Sequence, residues 1–226
     1  MTDTSVHRSC GKAGLCVCVL LAALPPATAA AQEKKEADAA TKMLMGANGL
    51  LREGLTQMAA EEYAAFVAKY PNHAEMTTAR YGLAICRFRL GKHDEAASLL
   101  QKVLADRKFK QADEALAVLG HCYLSSGARD KALAALDDLL KKYPTSKHAE
   151  VASLNRAQVL HMAGRQAEAV AACKAFLKKY PSSQRRTSAE YSLALAQFAL
   201  GEHAEAAKAL ESVLRVPNSP IALDAT

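Results

Sequence analysis

A glycine recurs at nearly constant intervals along most of this 226-residue chain, and this period restricts the fold more than any other feature. The glycines, spaced 37, 36, 37 and 37 residues apart, are Gly54, Gly91, Gly127, Gly164 and Gly201. An alanine stands five residues after each of them, at Ala59, Ala96, Ala132, Ala169 and Ala206. A small residue stands seven residues before each of them, at Ala47, Ala84, Gly120, Ala157 and Ala194. Such a period indicates stacked copies of one supersecondary unit.

Each period predicts a helical hairpin. Glycine readily adopts the positive φ at which many helices end, so each glycine should close a first helix. Apolar residues then return at helical spacing, for example at Ala96, Leu99, Leu100 and Val103. Proline ends the second helix in Tyr70-Pro71, Tyr143-Pro144 and Tyr180-Pro181. The serines that follow, Ser146 and Ser183, are expected to cap the next first helix.

The composition agrees with an all-α chain. Alanine makes up 48 residues, half of the chain is hydrophobic and aromatics are only 5%. The first two values argue against disorder, and the shortage of aromatic and β-branched residues argues against a β-sandwich or barrel. We therefore predict five hairpins at 38–71, 72–108, 109–144, 145–181 and 182–216. The second hairpin is irregular, because Asp106-Arg107-Lys108-Phe109-Lys110 stands where a Tyr-Pro turn is expected.

The first 31 residues have the pattern of a secretory signal peptide. A basic start with Arg8 and Lys12 precedes a 12-residue apolar run, 13–24, and a small-residue stretch follows. A membrane anchor is the weaker interpretation, because 12 residues at about 1.5 Å each cannot cross roughly 30 Å of hydrocarbon. Cleavage is expected near Ala29 or Ala31. Neither Cys16 nor Cys18 follows the Leu-small-small order of a lipidation signal, and residues 32–37 form a polar lead-in.

The charge distribution does not indicate nucleic-acid binding. The formal charge of +6 is spread over many predicted helices, whereas a nucleic-acid site would be a clustered basic stripe. Lysines do recur before the Tyr-Pro turns, at Lys69, Lys141, Lys142, Lys178 and Lys179. They could form a basic strip for an acidic partner or anionic lipid. We favour the alternative, in which they stabilise the negative ends of their own helices.

No pattern of an enzyme or a metal site is present. The chain lacks the His-Glu-x-x-His, phosphate-loop and Gly-x-Ser-x-Gly motifs, and a metal role for His121 and His161 would need further ligands. Cys86 and Cys122 occupy the same place in successive repeats, so a disulfide is conceivable, but we predict that both are core residues. Cys173 stands at an apolar core position and is interpreted in the same way. We therefore predict a non-enzymatic protein without cofactors.

The repeat positions resemble those of the tetratricopeptide repeat (TPR) family, over roughly residues 38–216. That family has a small residue in the first helix, an alanine early in the second, a closing proline and a usual length of 34 residues. The longer repeat resembles bacterial envelope TPR proteins, such as BamD-like assembly lipoproteins and CpoB/YbgF-like cell-division coordinators. The chain lacks the lipidation signal of the former and the N-terminal coiled coil of the latter. The resemblance implies a right-handed superhelical solenoid serving as a periplasmic scaffold in envelope or outer-membrane assembly.

The resemblance also implies that the first helices line a concave groove that binds a protein or peptide. Carried over by phase from each glycine, the groove residues are Asn48, Arg52, Tyr81, Ile85, Phe88, Arg89, His121, Ser125, Gln158, His161, Met162, Tyr191, Leu195 and Phe198. Some of these, Tyr81 and Tyr191 in particular, could instead only pack between repeats. We expect no nucleic-acid partner, membrane association only through partners, and leave the oligomeric state open.

The C-terminal residues 217–226 align with the beginning of a sixth first helix. A solenoid normally covers its last apolar face with a polar terminal helix. Either that face packs on a partner or a second copy, or the natural protein continues, and we favour continuation. The alternative function is therefore the N-terminal repeat segment of a longer TPR protein whose activity lies downstream.

Overall fold

The computed structural model describes residues 26–215, with side chains from Lys35 onward, and in this range it contains ten α-helices and no strand. The helices are α1 (Pro26–Arg52), α2 (Thr56–Lys69), α3 (Met76–Arg89), α4 (His93–Leu104), α5 (Ala112–Ser125), α6 (Arg129–Lys142), α7 (Ala149–Met162), α8 (Gln166–Lys179), α9 (Arg186–Ala199) and α10 (His203–Leu214). They pair in order as five hairpins. The chain divides into two compact units, 1–39 and 40–226, and the packing described below lies within the second.

Helix α1 begins earlier than the sequence indicates. The predicted polar lead-in, 32–37, is part of this helix, which starts at Pro26. Alanine, glutamine, glutamate and lysine are strong helix formers, and proline is well tolerated at a first helical position. Most of the predicted signal peptide and the whole predicted start of a sixth repeat lie outside the described residues.

The five repeat glycines end the first helices as predicted. Their φ angles lie between +72° and +81°, in the left-handed region that glycine adopts without strain. At the second turn Lys92 N–H donates to the Arg87 carbonyl at 2.9 Å, and Gly91 N–H donates to the Phe88 carbonyl at 3.0 Å. This is the Schellman arrangement, which satisfies the last carbonyls of a helix.

The small residues on either side of each turn bring the two helices of a hairpin together. The ten predicted positions are all buried, the alanines at no more than 2% exposure. A Cβ added at Gly120 would lie 3.0 Å from Leu136 Cδ2, so this pair of helices has very little spare room. Larger side chains at these positions would force the helices apart.

Successive hairpins share a nearly continuous core. Each second helix packs on the first helix of the next hairpin. Some first helices also contact each other, namely α3 with α5 and α7 with α9. The largest fully buried side chains include Phe66 in α2 and Phe176 in α8. The predicted all-α repeat solenoid is therefore confirmed.

The serines after the Tyr-Pro turns join hairpins and do not cap helices. Ser146 Oγ donates to Asp113 Oδ2 at 2.6 Å and accepts the His148 N–H at 3.0 Å. Ser183 donates in the same way to Glu150 Oε1 at 2.6 Å. No side-chain cap is formed at α7 or α9, so the capping prediction is wrong. Each serine lies too far before its helix and instead bonds to the preceding first helix.

The irregular second hairpin forms a similar side-chain hydrogen bond between its first helix and the turn that follows the hairpin. Here the turn residue is the acceptor and the first-helix residue is the donor. Asp106 Oδ1 accepts the Lys108 N–H at 2.9 Å, and Asp106 Oδ2 accepts the Thr77 hydroxyl at 2.9 Å. These two bonds lower the pKa of Asp106 below its usual value. The segment that replaces Tyr-Pro thus still ties the second hairpin to the turn that follows it.

Candidate interaction surface

The candidate site is the exposed side of the first helices α1, α3, α5, α7 and α9, here called the first-helix face. Its predicted members stand two, three, six or ten residues before the repeat glycines. The structure divides them into two depressions, an apolar group near the C-terminal end, and a set that packs between hairpins.

The first depression lies between α1 and α3 and is positively charged. It is lined by Met45, Asn48, Leu51, Arg52 and Arg89 and has a volume of about 650 Å³. Among the described residues no ion pair forms with Arg52 or Arg89, so both guanidinium groups remain available to an anionic group.

Asn48 is held in this depression by a buried tyrosine. The Tyr63 hydroxyl, in α2, donates to Asn48 Oδ1 at 2.5 Å. Burial raises the pKa of Tyr63 to about 12, so the hydroxyl keeps its proton and its role as a donor at neutral pH. This hydrogen bond fixes the orientation of the Asn48 amide group in the depression.

The central depression spans three successive first helices. Phe88 of α3, His121 and Val118 of α5, and Val151 and Asn155 of α7 line a volume of about 230 Å³. The rings of Phe88 and His121 meet edge to face, with centroids 5.2 Å apart and planes at 88°. This geometry is favourable for aromatic pairs and gives the depression an ordered aromatic wall.

Exposed apolar side chains gather near the C-terminal end of the face. Phe198 is 64% exposed, Met162 is 53% exposed and Leu195 is 38% exposed. The Phe198 ring lies 5.0 Å from that of His203, which restricts its position. Aromatic side chains and methionines that are fixed yet exposed are typical of interaction surfaces.

Two predicted groove residues pack between hairpins. Tyr81 is only 9% exposed, and its ring lies 5.1 Å from Phe109 at the following turn. Ile85 is half-buried against the same core cluster. For Tyr81 the structure therefore favours packing over ligand contact. The spacing from the repeat glycine could not distinguish packing from ligand contact for Tyr81, because Phe109 belongs to the irregular segment.

The other predicted residues differ in accessibility. Ser125 is exposed at the end of α5, whereas Gln158 and Tyr191 are half-buried. His161 Nδ1 lies 2.7 Å from Gln166 Oε1 and is engaged in its own hairpin turn. These four residues do not belong to either depression.

The sequence-based set missed one edge of the face. Met45, Glu114, Val118, Val151 and Asn155 line the depressions but stand nine or thirteen residues before a glycine. The positions two, six, nine and thirteen residues before each glycine form a single helical stripe. Extending the predicted stripe by two helical turns toward the N-terminus of each first helix would have included these residues.

Three of the lysines near the Tyr-Pro turns form contacts within the chain. The Nζ of Lys69 lies 5.3 Å from the centre of the Tyr70 ring, and that of Lys179 lies 5.2 Å from the Tyr180 ring. Lys142 forms an ion pair one turn back in its own helix at 2.7 Å. Lys69, Lys142 and Lys179 are thus engaged within the chain, and the interpretation of the whole lysine set stays a prediction.

The three described cysteines are free and buried. No disulfide joins Cys86 to Cys122, which agrees with their predicted place in the core. Burial raises the pKa of each thiol to about 11, including that of Cys173. All three thiols therefore remain protonated at neutral pH, a state in which they are weak nucleophiles and weak metal ligands.

Slow alkylation of these thiols is the expected result. At pH 8 about a thousandth of each buried thiol is ionised, and burial also blocks access. Iodoacetamide should label the peptides carrying Cys86, Cys122 and Cys173 at least ~100-fold more slowly in the native protein than in urea. The native rate should still rise above pH 9, because the thiols titrate near 11. Rapid native labelling of any one thiol, followed by mass spectrometry, would contradict this.

The described part of the chain shows neither a metal-binding cluster nor a membrane-spanning helix. Between residues 35 and 215, no three His, Cys, Asp or Glu side chains are placed to hold a metal ion. None of the described helices is both long and apolar enough to cross a bilayer.

The sequence matches two models of the tetratricopeptide repeat. One matches residues 44–113, 83–147 and 117–184, and the other matches residues 188–219. Together these matches include well over half of the chain. No functionally curated protein is significantly similar in sequence.

Solved structures of the same repeat type superpose on the chain. YrrB, described as a TPR protein with an unusual peptide-binding site, has a TM-score of 0.70 at 20% identity, covering 90% of this chain and 98% of YrrB. MamA has a TM-score of 0.67 at 19% identity, covering 77% of this chain and 90% of MamA. A chain of TPR-like repeats from Podosopora anserina has a TM-score of 0.62 at 19% identity, with coverages of 79% and 97%. At these identities the likeness shows the fold alone.

Proposed function

This chain belongs to the tetratricopeptide repeat family, and we propose that its first-helix face binds an amphipathic segment of a partner protein in the bacterial cell envelope. The repeats and the structural neighbours support a protein-interaction scaffold. The envelope location is proposed from the signal-peptide pattern of residues 1–31. The more specific resemblance to BamD-like and CpoB/YbgF-like proteins stays a prediction.

The observation that carries the proposal is the exposure of apolar side chains on successive first helices. Phe198, Met162 and Leu195 are exposed on α7 and α9, and Phe88 and Val151 line the central depression. A few aromatic and long apolar side chains commonly supply most of the binding energy of an interface. The partner segment is therefore expected to place apolar residues along this part of the face.

The charges at the other end of the first-helix face, between α1 and α3, indicate which charge the partner segment should carry. Arg52 and Arg89 lie in the first depression without an acidic partner, and Arg89 directly follows Phe88 of the central depression. A segment that follows the face would therefore pass from apolar contacts to two guanidinium groups. An acidic residue at that end would form charge-assisted hydrogen bonds with them.

The test compares two triple variants with matched exposure. The first-helix variant carries Met162→Ser, Leu195→Ser and Phe198→Ser. The control variant carries Leu55→Ser, Met58→Ser and Leu214→Ser, which remove exposed apolar side chains outside the first-helix face. Each immobilised protein is incubated with envelope extract, and the bound proteins are quantified by mass spectrometry.

We expect one partner to be retained by the wild type and the control variant, and reduced at least tenfold by the first-helix variant. Circular dichroism should show equal helix content in all three proteins. Equal loss in both variants, or retention by all three proteins, would contradict binding at this face.

A further inference from the structure

A second cleft lies on the other side of the third hairpin, between the second helices α4 and α6. Its floor is α5, with Leu116 and Leu119, and its walls include Leu104 of α4 and Ala134 of α6. Its volume of about 920 Å³ exceeds that of either depression on the first-helix face. A volume of this size is typical of ligand-binding clefts.

The irregular second hairpin opens this cleft. In the first, third and fourth hairpins, a tyrosine sixteen residues after the glycine packs at the end of the second helix, at Tyr70, Tyr143 and Tyr180. Arg107 stands at this position in the second hairpin and is exposed. Helix α4 is also two residues shorter than α6, with 12 residues against 14. The aromatic rings that line the cleft, Tyr123 and Tyr143, therefore come from α5 and the end of α6, and none comes from the end of α4.

The next junction shows how the same position is closed elsewhere. Between α6 and α8, Ser153 and Arg156 of α7 stand where α5 has Leu116 and Leu119. The Arg156 guanidinium forms an ion pair with Asp137 of α6, which bridges the gap. The remaining volume is about 490 Å³, roughly half that of the α4–α6 cleft. The apolar floor, formed by Leu116 and Leu119 at 6% exposure each, thus distinguishes the junction of the second and third hairpins from the next one.

The lining of the cleft has more basic than acidic side chains, with Arg107, Lys131 and Lys142 against Asp106 and Asp138. Its two acidic side chains already have partners: Asp106 accepts two hydrogen bonds, and Asp138 pairs with a lysine at 2.7 Å. Arg107 and Lys131 form no ion pair with any described residue. The Lys131 Nζ lies over the Tyr123 ring, 5.8 Å from its centre, so this cation stays beside the cleft.

We infer that the α4–α6 cleft is a second binding site, which takes an extended peptide segment with acidic residues next to apolar ones. The apolar side chains would pack on Leu104, Leu116 and Leu119, and the carboxylates would pair with Arg107 and Lys131. The two sites use opposite sides of α5, so one chain could hold two segments of a partner or two partners at once. Linked binding of this kind strengthens association without new contacts at either site.

The probe is a pool of short synthetic peptides with Leu or Phe at alternate positions and Asp or Glu between them. A matched pool carries Lys in place of the acidic residues. The immobilised chain should retain about tenfold more of the acidic pool than of the basic pool. Equal retention of the two pools would overturn the proposal.

Two variants locate the binding. Arg107→Glu with Lys131→Glu reverses the free charges, and Ala134→Trp fills the cleft from an exposed wall position without changing the charge. Each should reduce retention of the acidic pool about tenfold. Retention equal to that of the wild type in both variants would overturn the proposal.

Controls separate this site from general attraction and from the first-helix face. Lys174→Glu with Lys178→Glu makes the same charge change at exposed positions of α8 and should retain the acidic pool. The first-helix variant described above removes the apolar contacts of the first-helix face, so the acidic peptides that it still retains, expected to be most of the pool, are held by the cleft. Loss of the pool in either control would overturn the proposal, the first by showing nonspecific charge attraction and the second by placing the peptides on the first-helix face.

Discussion

Phe176→Ala is expected to lower the free energy of unfolding by about 4 kcal/mol. The Phe176 side chain is fully buried and packs with Leu154 of α7 and Ala189 of α9, so it joins the fourth hairpin to the fifth. Its ring also lies 5.2 Å from that of Tyr180. Removing it leaves a cavity at the boundary between repeats, where stability depends on neighbour contacts.

Urea unfolding followed by far-ultraviolet circular dichroism measures this effect. Because the lost contacts cross a repeat boundary, the fifth hairpin should also unfold at lower urea than the rest of the solenoid. Lys174→Ala, on an exposed position of the same helix, is the control and should change the free energy of unfolding by less than about 0.5 kcal/mol. A loss below about 1 kcal/mol for Phe176→Ala would contradict this packing.

Gly82→Ala is expected to lower the free energy of unfolding by about 2 kcal/mol, although alanine is the better helix former. A Cβ at position 82 would lie 2.8 Å from the Tyr63 hydroxyl oxygen and nearer still to the ring. Tyr63 is almost completely buried, and its hydroxyl is bonded to Asn48, so the ring has little freedom to move away. Close approach of α2 and α3 therefore requires glycine at this position.

Gly46→Ala is the matched control, because nothing lies within 4 Å of a Cβ at position 46. Helix propensity alone predicts a gain of up to about 1 kcal/mol there. Combining Gly82→Ala with Tyr63→Leu should recover at least about 1 kcal/mol relative to additivity, since the smaller side chain makes room for the methyl group. Additive effects, or stabilisation by Gly82→Ala alone, would contradict the proposed contact.

Much of the fold follows from local rules that the sequence displays directly. Positive φ at the five repeat glycines is a backbone requirement, and the small residues around each turn are a packing requirement with the same period. The close approach at Gly82 lies between the first and second hairpins and depends on a tyrosine 19 residues earlier, so the repeat pattern does not indicate it. The early start of α1 was missed because the glycine period does not extend to its N-terminus.

The candidate sites were predictable to different degrees. The spacing of residues from the repeat glycines correctly predicted four residues that line the depressions of the first-helix face, Arg52, Arg89, Phe88 and His121. It could not separate an exposed ring from a packed one, because burial of Tyr81 depends on Phe109 in an irregular turn. The α4–α6 cleft was missed for the same reason, since it arises where the repeat is broken.

Site-specific photocrosslinking tests the central claim, that the first-helix face holds the partner, most directly. A photoreactive phenylalanine analogue at Val151 lies in the central depression, and the same analogue at Met58 lies on the second helix α2. Both positions are exposed, at 37% and 52% respectively. On irradiation in intact cell envelopes, position 151 is expected to yield one discrete adduct that position 58 does not. An adduct from position 58 alone, or none from position 151, would contradict the account.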